Sequence, residues 1–259
     1  MEKINGSGIK MVNDELVSEI TRINNHTIGF NYKFTEQSVL AKEITILNNV
    51  NQVNNSIALI SILYDATIQY FSGYALNIMN GFPLSAFSCI RSFLETAAIC
   101  SWLSDPNIMA LERLARQITY RINVSKYYVK PFRSEVDYES LLEDSKTYSE
   151  GLFNELQVAS FKNDKYNMPQ ISTLIDDQLA QKPIYSYLSN IVHGHHSEII
   201  TSAGEVKSSI NIQDMKRIPI ERKVNPQFVN QIEICIKDSY IILIEKMWNL
   251  FGWDLKLIL

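Results

Sequence analysis

IALISILYDATIQYFSGYALNIM, Ile57 to Met79, is the stretch that decides the fold. Ile57, Ile60, Tyr64, Ile68, Phe71, Ala75 and Ile78 recur at intervals of three and four, the period that lays side chains along one face of an α-helix. Asp65, Gln69 and Asn77 interrupt the apolar run. Such groups are costly in hydrocarbon, so the segment reads as a buried helix and not as a membrane span. Asn80-Gly81 ends it, and Pro83 opens the next helix in its first turn, where the missing N–H costs nothing.

The same period extends in both directions. Upstream, residues 1–12 read as a flexible tail, followed by amphipathic helices over 13–25 and 35–53. Thr35 is the expected N-cap of the second, and the Asn-rich patch Asn48–Asn55 reads as a helix junction. Downstream, a helix over 83–103 carries Leu84, Phe87, Leu94, Ala98 and Trp102 on one face. Asp105-Pro106 supplies a cap and a first-position proline for a helix running to Lys130. Further helices are expected over 135–157, 169–180 and 183–193, with Gly194 as the left-handed cap of the last. Asn225-Pro226 starts a final helix whose stripe is Val229, Ile232, Ile236, Leu243, Met247 and Leu250, ending near Gly252.

Residues 195–224 break the pattern, alternating at Ser209–Ile212 and Ile218–Ile220. They are expected to form a loop or a small β-hairpin, and connections of that length are more often functional than average. The expectation is therefore an all-α, multi-helix bundle forming a single domain over 13–259. The N-terminal helices occupy 13–53, the core bundle 55–194 and 225–251, and 195–224 is an insertion.

Composition narrows the function without naming it. Hydrophobic residues make up 46% and charged residues 20%, an ordinary globular balance that argues against wholesale disorder. A net charge of −4 gives no global pull toward nucleic acid or acidic membranes, so such binding needs a local basic patch. Cys89, Cys100 and Cys235 are odd in number, far apart and each in an apolar stretch. They read as small buried hydrophobes in a reducing compartment. MEKINGSGIK lacks the apolar core of a signal peptide, and a cytoplasmic location is expected.

Two places put polar chemistry where apolar residues are expected. Arg91 and Glu95, four apart in IRSFLET, share the helix face of Phe87, Leu94, Ala98 and Trp102. They read either as a structural ion pair or as the floor of a charged pocket, where a guanidinium grips phosphate or carboxylate with two parallel donors. In YSYLSNIVHGHH, Tyr185, Ser189 and His193 follow at intervals of four and line one side of a short helix. His193 falls at the helix end, where the carbonyl-rich terminus favours imidazolium.

His195 and His196 follow, but no Cys or acidic residue has the spacing of a zinc site, and neither metal nor cofactor is expected. A Ser–His dyad on one helix is poorly placed for nucleophilic attack. Acid–base work or a phosphate contact by His193, aided by Arg91, is the sharper reading beside that of a satisfied core histidine. Arg113, Arg116 and Arg121 head a basic stripe that suits a nucleic-acid backbone. The acidic run Glu135, Asp137, Glu139, Glu143 and Asp144 follows it, so a solvated mixed surface is the plainer reading. Asp65 is expected as a further polar core residue.

R-S-F-L-E-T, with Arg91 and Glu95, and Y-x-x-L-S-N-x-x-H-G, with Tyr185, Leu188, Ser189, His193 and Gly194, resemble a group of uncharacterised bacterial helical proteins. These pair an Arg-x-x-x-Glu helix with a later Ser-x-x-x-His helix end, and the resemblance spans residues 55–251. More remotely, the chain resembles the HEPN superfamily, helical proteins that include metal-independent ribonucleases of toxin–antitoxin and phage-defence systems. That superfamily separates an Arg from its His by four to six intervening residues. Here Ser186, Tyr187 and Leu188 hold those positions, so the cation must come from elsewhere, and Arg91 is the candidate. The resemblance implies a bacterial defence or stress protein acting on RNA or binding a nucleotide, with Arg91, Glu95, Ser189 and His193 lining the site. A homodimer is the expected assembly, and a partner protein of a defence system fits that setting. The competing class is a non-enzymatic interaction or sensor protein in which the same four residues form a buried network.

Overall fold

The computed structural model describes residues 13–128, 168–194 and 225–257. The expected helix over 135–157 and the expected hairpin at 195–224 lie outside them. The described residues form an all-α fold of eight α-helices with no strand. In chain order these are α1 Asp14–Gly29, α2 Val39–Leu47, α3 Val50–Met79, α4 Pro83–Leu103, α5 Ala110–Tyr128, α6 Ile171–Leu179, α7 Lys182–Val192 and α8 Pro226–Phe251. A 3₁₀ turn over Leu255–Leu257 follows α8.

Most helix ends follow local chemistry. Asn13 accepts from the Glu15 N–H and Asn225 from the Gln227 N–H, each satisfying a donor of a first turn. Pro83, Pro183 and Pro226 sit in the first turns of α4, α7 and α8. Asn48 takes the left-handed conformation that ends α2, and Asn49 caps α3 by accepting from the Gln52 N–H. The helix junction is thus only Asn48-Asn49, and the rest of the Asn-rich patch belongs to α3.

Three local expectations are corrected. Ser38, not Thr35, caps α2, its hydroxyl accepting from the Ala41 N–H at 3.0 Å. Thr35 instead donates its N–H to the Phe251 carbonyl, tying the α1–α2 connection to the end of α8. The helix after Asp105-Pro106 begins at Ala110, because the Asp105 carboxylate accepts from the Asn107 N–H and closes a turn there. Asp65 is exposed and accepts from the Tyr32 hydroxyl at 2.7 Å, so it belongs to the surface.

Helix α4 is the axis of the fold. It packs along α3 most extensively and also against α8, α7 and α6. Every residue from Ala97 to Leu103 is buried, so this end has no solvent face. Gly73 on α3 permits the close approach, since a Cβ there would lie 3.1 Å from the Cys89 sulfur. The buried face of α3 is turned slightly from the expected stripe. Leu63, Thr67 and Tyr74 are buried, while Ile57, Ile68 and Ala75 are half-buried.

The C-terminal aromatics are core. Trp248 and Phe251 are fully buried, Phe30 stacks on Trp253 at 4.6 Å, and Trp248 donates to the Thr27 hydroxyl. Gly252 ends α8 at φ +73, beside Thr35 and Ser38.

Candidate functional site

Helices α4 and α7 bring the two sequence motifs together. Pro183 starts α7, and Gly194 at φ +80 ends it, with the His193 N–H donating to the Ser189 carbonyl at 3.0 Å. Leu188 and Ile191 are buried together with Tyr185 in the core shared with α4, which sets Tyr185 beside Arg91 and Glu95.

At that seam the Tyr185 hydroxyl donates to Glu95 Oε1 at 2.9 Å. Arg91 Nε lies 3.1 Å from the same oxygen, and the guanidinium carbon stands 5.7 Å from the centre of the Tyr185 ring. The Nε–H is buried without an aligned acceptor, so its approach to Glu95 is an ion pair and not a hydrogen bond. Tyr185 is buried, whereas the Arg91 and Glu95 side chains keep 24% and 31% of their exposure. Burial raises the Tyr185 phenol above its ordinary pKa, and Glu95 adds to this while Arg91 opposes it. The phenol therefore stays neutral and protonated, as a donor to Glu95 must be.

The four expected site residues are only partly gathered. Arg91 and Glu95 touch each other, and Ser189 lies one turn beyond Tyr185, half-buried. His193 is exposed at the end of α7, about 12 Å of helix axis from Tyr185. A wholly buried Arg–Glu–Ser–His network is thus not what the chain builds. Tyr185 is the group that sequence reasoning left out of the site. Its spacing of four before Ser189 was the available signal, but its partner is set by the packing of α7 on α4.

The basic stripe divides. Arg113 is 1% exposed and turned inward. Its Nε donates to Glu43 Oε1 at 2.9 Å, Nη1 to the Leu103 carbonyl, and Nη2 to the Asp105 carbonyl at 2.8 Å. It is a clamp joining α2, α5 and the end of α4, where orphan carbonyls need donors, and it is not presented to a nucleic-acid strand. Arg116 lies 5.1 Å over the Trp102 ring, donates to the Trp102 carbonyl at 2.7 Å and pairs with Glu112. Arg121 is exposed and reaches the Asn55 carbonyl at 3.4 Å. Glu43 carried no sequence signal, because its partner is seventy residues away.

Among the described residues no group of three or more His, Cys, Asp or Glu side chains is placed to hold a metal ion. His195 and His196 lie outside those residues. No described helix is long and apolar enough to cross a membrane. Comparison with family models, with curated proteins and with solved structures finds no match.

Proposed function

We propose that the chain is a HEPN-like bacterial defence or stress protein that engages RNA, or a nucleotide, along the α4–α7 seam. The supporting observation is that the Arg motif and the His motif, 94 residues apart at Arg91 and Tyr185, meet across two packed helices. Arg91 thereby supplies, from a second helix, the cation that α7 lacks ahead of His193.

In this reading His193 accepts the proton of an RNA 2′-hydroxyl and the 2′-oxygen attacks the adjacent phosphorus. The bond to the 5′-oxygen breaks, and a proton returns to that oxygen. Arg91 meets the negative charge that builds on the phosphorane oxygens, and Glu95 holds Arg91. Arg121 is the exposed member of the basic stripe and contributes a peripheral phosphate contact. The protein works in the cytoplasm as a homodimer, beside a partner protein of the same defence system.

One observation favours a second reading. Tyr185 of α7 donates to Glu95 of α4, which is paired with Arg91, a contact that suits a helix–helix tie in a non-enzymatic interaction or sensor protein. RNA integrity in cells expressing the wild type, His193→Ala and Arg91→Ala separates the two. RNA cleavage and growth arrest in the wild type, lost in both variants at unchanged melting temperature, is the expected result. Intact RNA with wild-type protein, together with early melting of Arg91→Ala, would establish the structural tie instead.

A further inference from the structure

We propose that the solvent face of α3 is the interface of the homodimer, and that two copies pair through it head to tail, Asp65 of each against Gln69 of the other. Ala58, Ile62, Asp65, Gln69, Ser72, Leu76 and Met79 are exposed and recur at alternating steps of four and three. That spacing is the seam by which one helix packs along another, here over about 32 Å of axis. Ile62 is 64%, Leu76 62% and Met79 74% exposed. From Ala66 to Ile90 the chain carries no charged residue, although 20% of its residues are charged. Large apolar groups open to solvent, with charge depleted around them, mark the centre of a protein interface.

The order of residues along the seam points to a second copy as the occupant. In a head-to-tail pair about a two-fold axis, the two alternating positions of the seam face each other, and every contact is made twice. With the axis midway between Asp65 and Gln69, Ala58 meets Leu76, Ile62 meets Ser72 and Asn55 meets Met79. Each large apolar side chain thereby faces a smaller residue, which lets the helices approach closely. The Asp65 carboxylate, which accepts from the Tyr32 hydroxyl at 2.7 Å, has further acceptor sites for the Gln69 amide of the second copy. Charge decides against the other arrangements. A parallel pair sets Asp65 against Asp65, and a head-to-tail pair shifted by one heptad sets Asp65 against Leu76.

The face is also large enough. At the roughly 150–250 Å² that a large side chain presents, Ile62, Leu76 and Met79 leave on the order of 400 Å² open in each copy. With the smaller residues between them the face approaches the roughly 800 Å² per partner that a stable dimer buries. This interface deepens the homodimer of the reading above, on which it rests, and is independent of the RNA chemistry.

Sedimentation velocity on the full chain tests it. The wild type is expected to be a dimer across about 1–100 µM. Ala58→Glu and Leu76→Lys, both at exposed positions, should each weaken the dimer about hundredfold, about tenfold at each of the two symmetry-related contacts, with an unchanged urea midpoint. An equimolar mixture of the two variants should regain the dimer. The introduced glutamate of one then meets the introduced lysine of the other, and the second contact is as in the wild type. Ile62→Glu with Ser72→Lys is a second such pair, used if either variant melts early. A monomeric wild type would overturn the proposal together with the homodimer and leave the RNA reading standing. An undiminished dimer in both variants would overturn the α3 face and spare the homodimer. Two weakened variants that stay apart on mixing would overturn the head-to-tail pairing.

Discussion

Replacing Arg113 by alanine tests the assignment of this residue to the core and not to a ligand. The guanidinium is 1% exposed and serves Glu43 together with the carbonyls of Leu103 and Asp105. Its removal strands a carboxylate that is itself only 3% exposed and leaves two carbonyls short of a donor. Breaking a buried ion pair from one side costs about 3–5 kcal/mol. For a chain of this size each kcal/mol lowers the melting temperature by about 2–4 °C, which puts the expected fall on the order of 10 °C.

The pH dependence gives a sharper signature. Burial raises the Glu43 carboxyl above its ordinary pKa, against the lowering pull of Arg113. Deleting Arg113 removes the lowering pull, so folded Glu43 takes up a proton more readily still. Between the ordinary glutamate pKa and this raised value, the folded state binds more protons than the unfolded state. The stability of the variant therefore increases as pH falls through that window. Urea melts at about pH 8 and about pH 5 should show the deficit against wild type narrowing on acidification. Arg113→Met combined with Glu43→Leu should recover most of the loss, because an apolar pair leaves no stranded charge. An unchanged melt for Arg113→Ala, or a deficit that widens in acid, would refute the reasoning and return Arg113 to the basic stripe.

Two further predictions follow from the packing. Gly252→Ala places a Cβ at φ +73 against the Thr35 hydroxyl and the Ser38 backbone. It should cost about 2–4 kcal/mol, read as a fall in the urea midpoint, and a wild-type midpoint would contradict the close approach. Burial pushes the Cys100 and Cys235 thiols up to about 12 and also raises the Cys89 thiol, which is only half-buried. In a thiol titration at about pH 8, Cys89 should react in the native protein and the other two only after unfolding. Equal rates for all three would mean that the α3–α4–α8 core opens far more readily than its packing implies.

The sequence by itself determined most of the described helices. Apolar spacing of three and four marks α3, α4 and α8, and Pro83, Gly194, Asn225-Pro226 and Gly252 mark ends, because those signals act within a turn or two of the chain. It also placed Arg91 beside Glu95, since a four-residue spacing sets that contact within a helix.

Only the tertiary structure decided what meets across helices. Arg113 looks like one member of a basic stripe until Glu43 and the end of α4 close over it. Asp65 looks like a core oddity until the slight turn of α3 leaves it at the surface beside Tyr32. Trp248, Phe251 and Trp253 suit an interface or a core equally well until Phe30 and Thr27 of the α1 region arrive to cover them. Tyr185 reads as the first of three polar residues on α7, and packing alone sets it against Glu95 and Arg91. Periodicity reports which face of a helix is apolar. It carries no information about the partner helix, and for buried charge the partner determines whether the group is a clamp or a site.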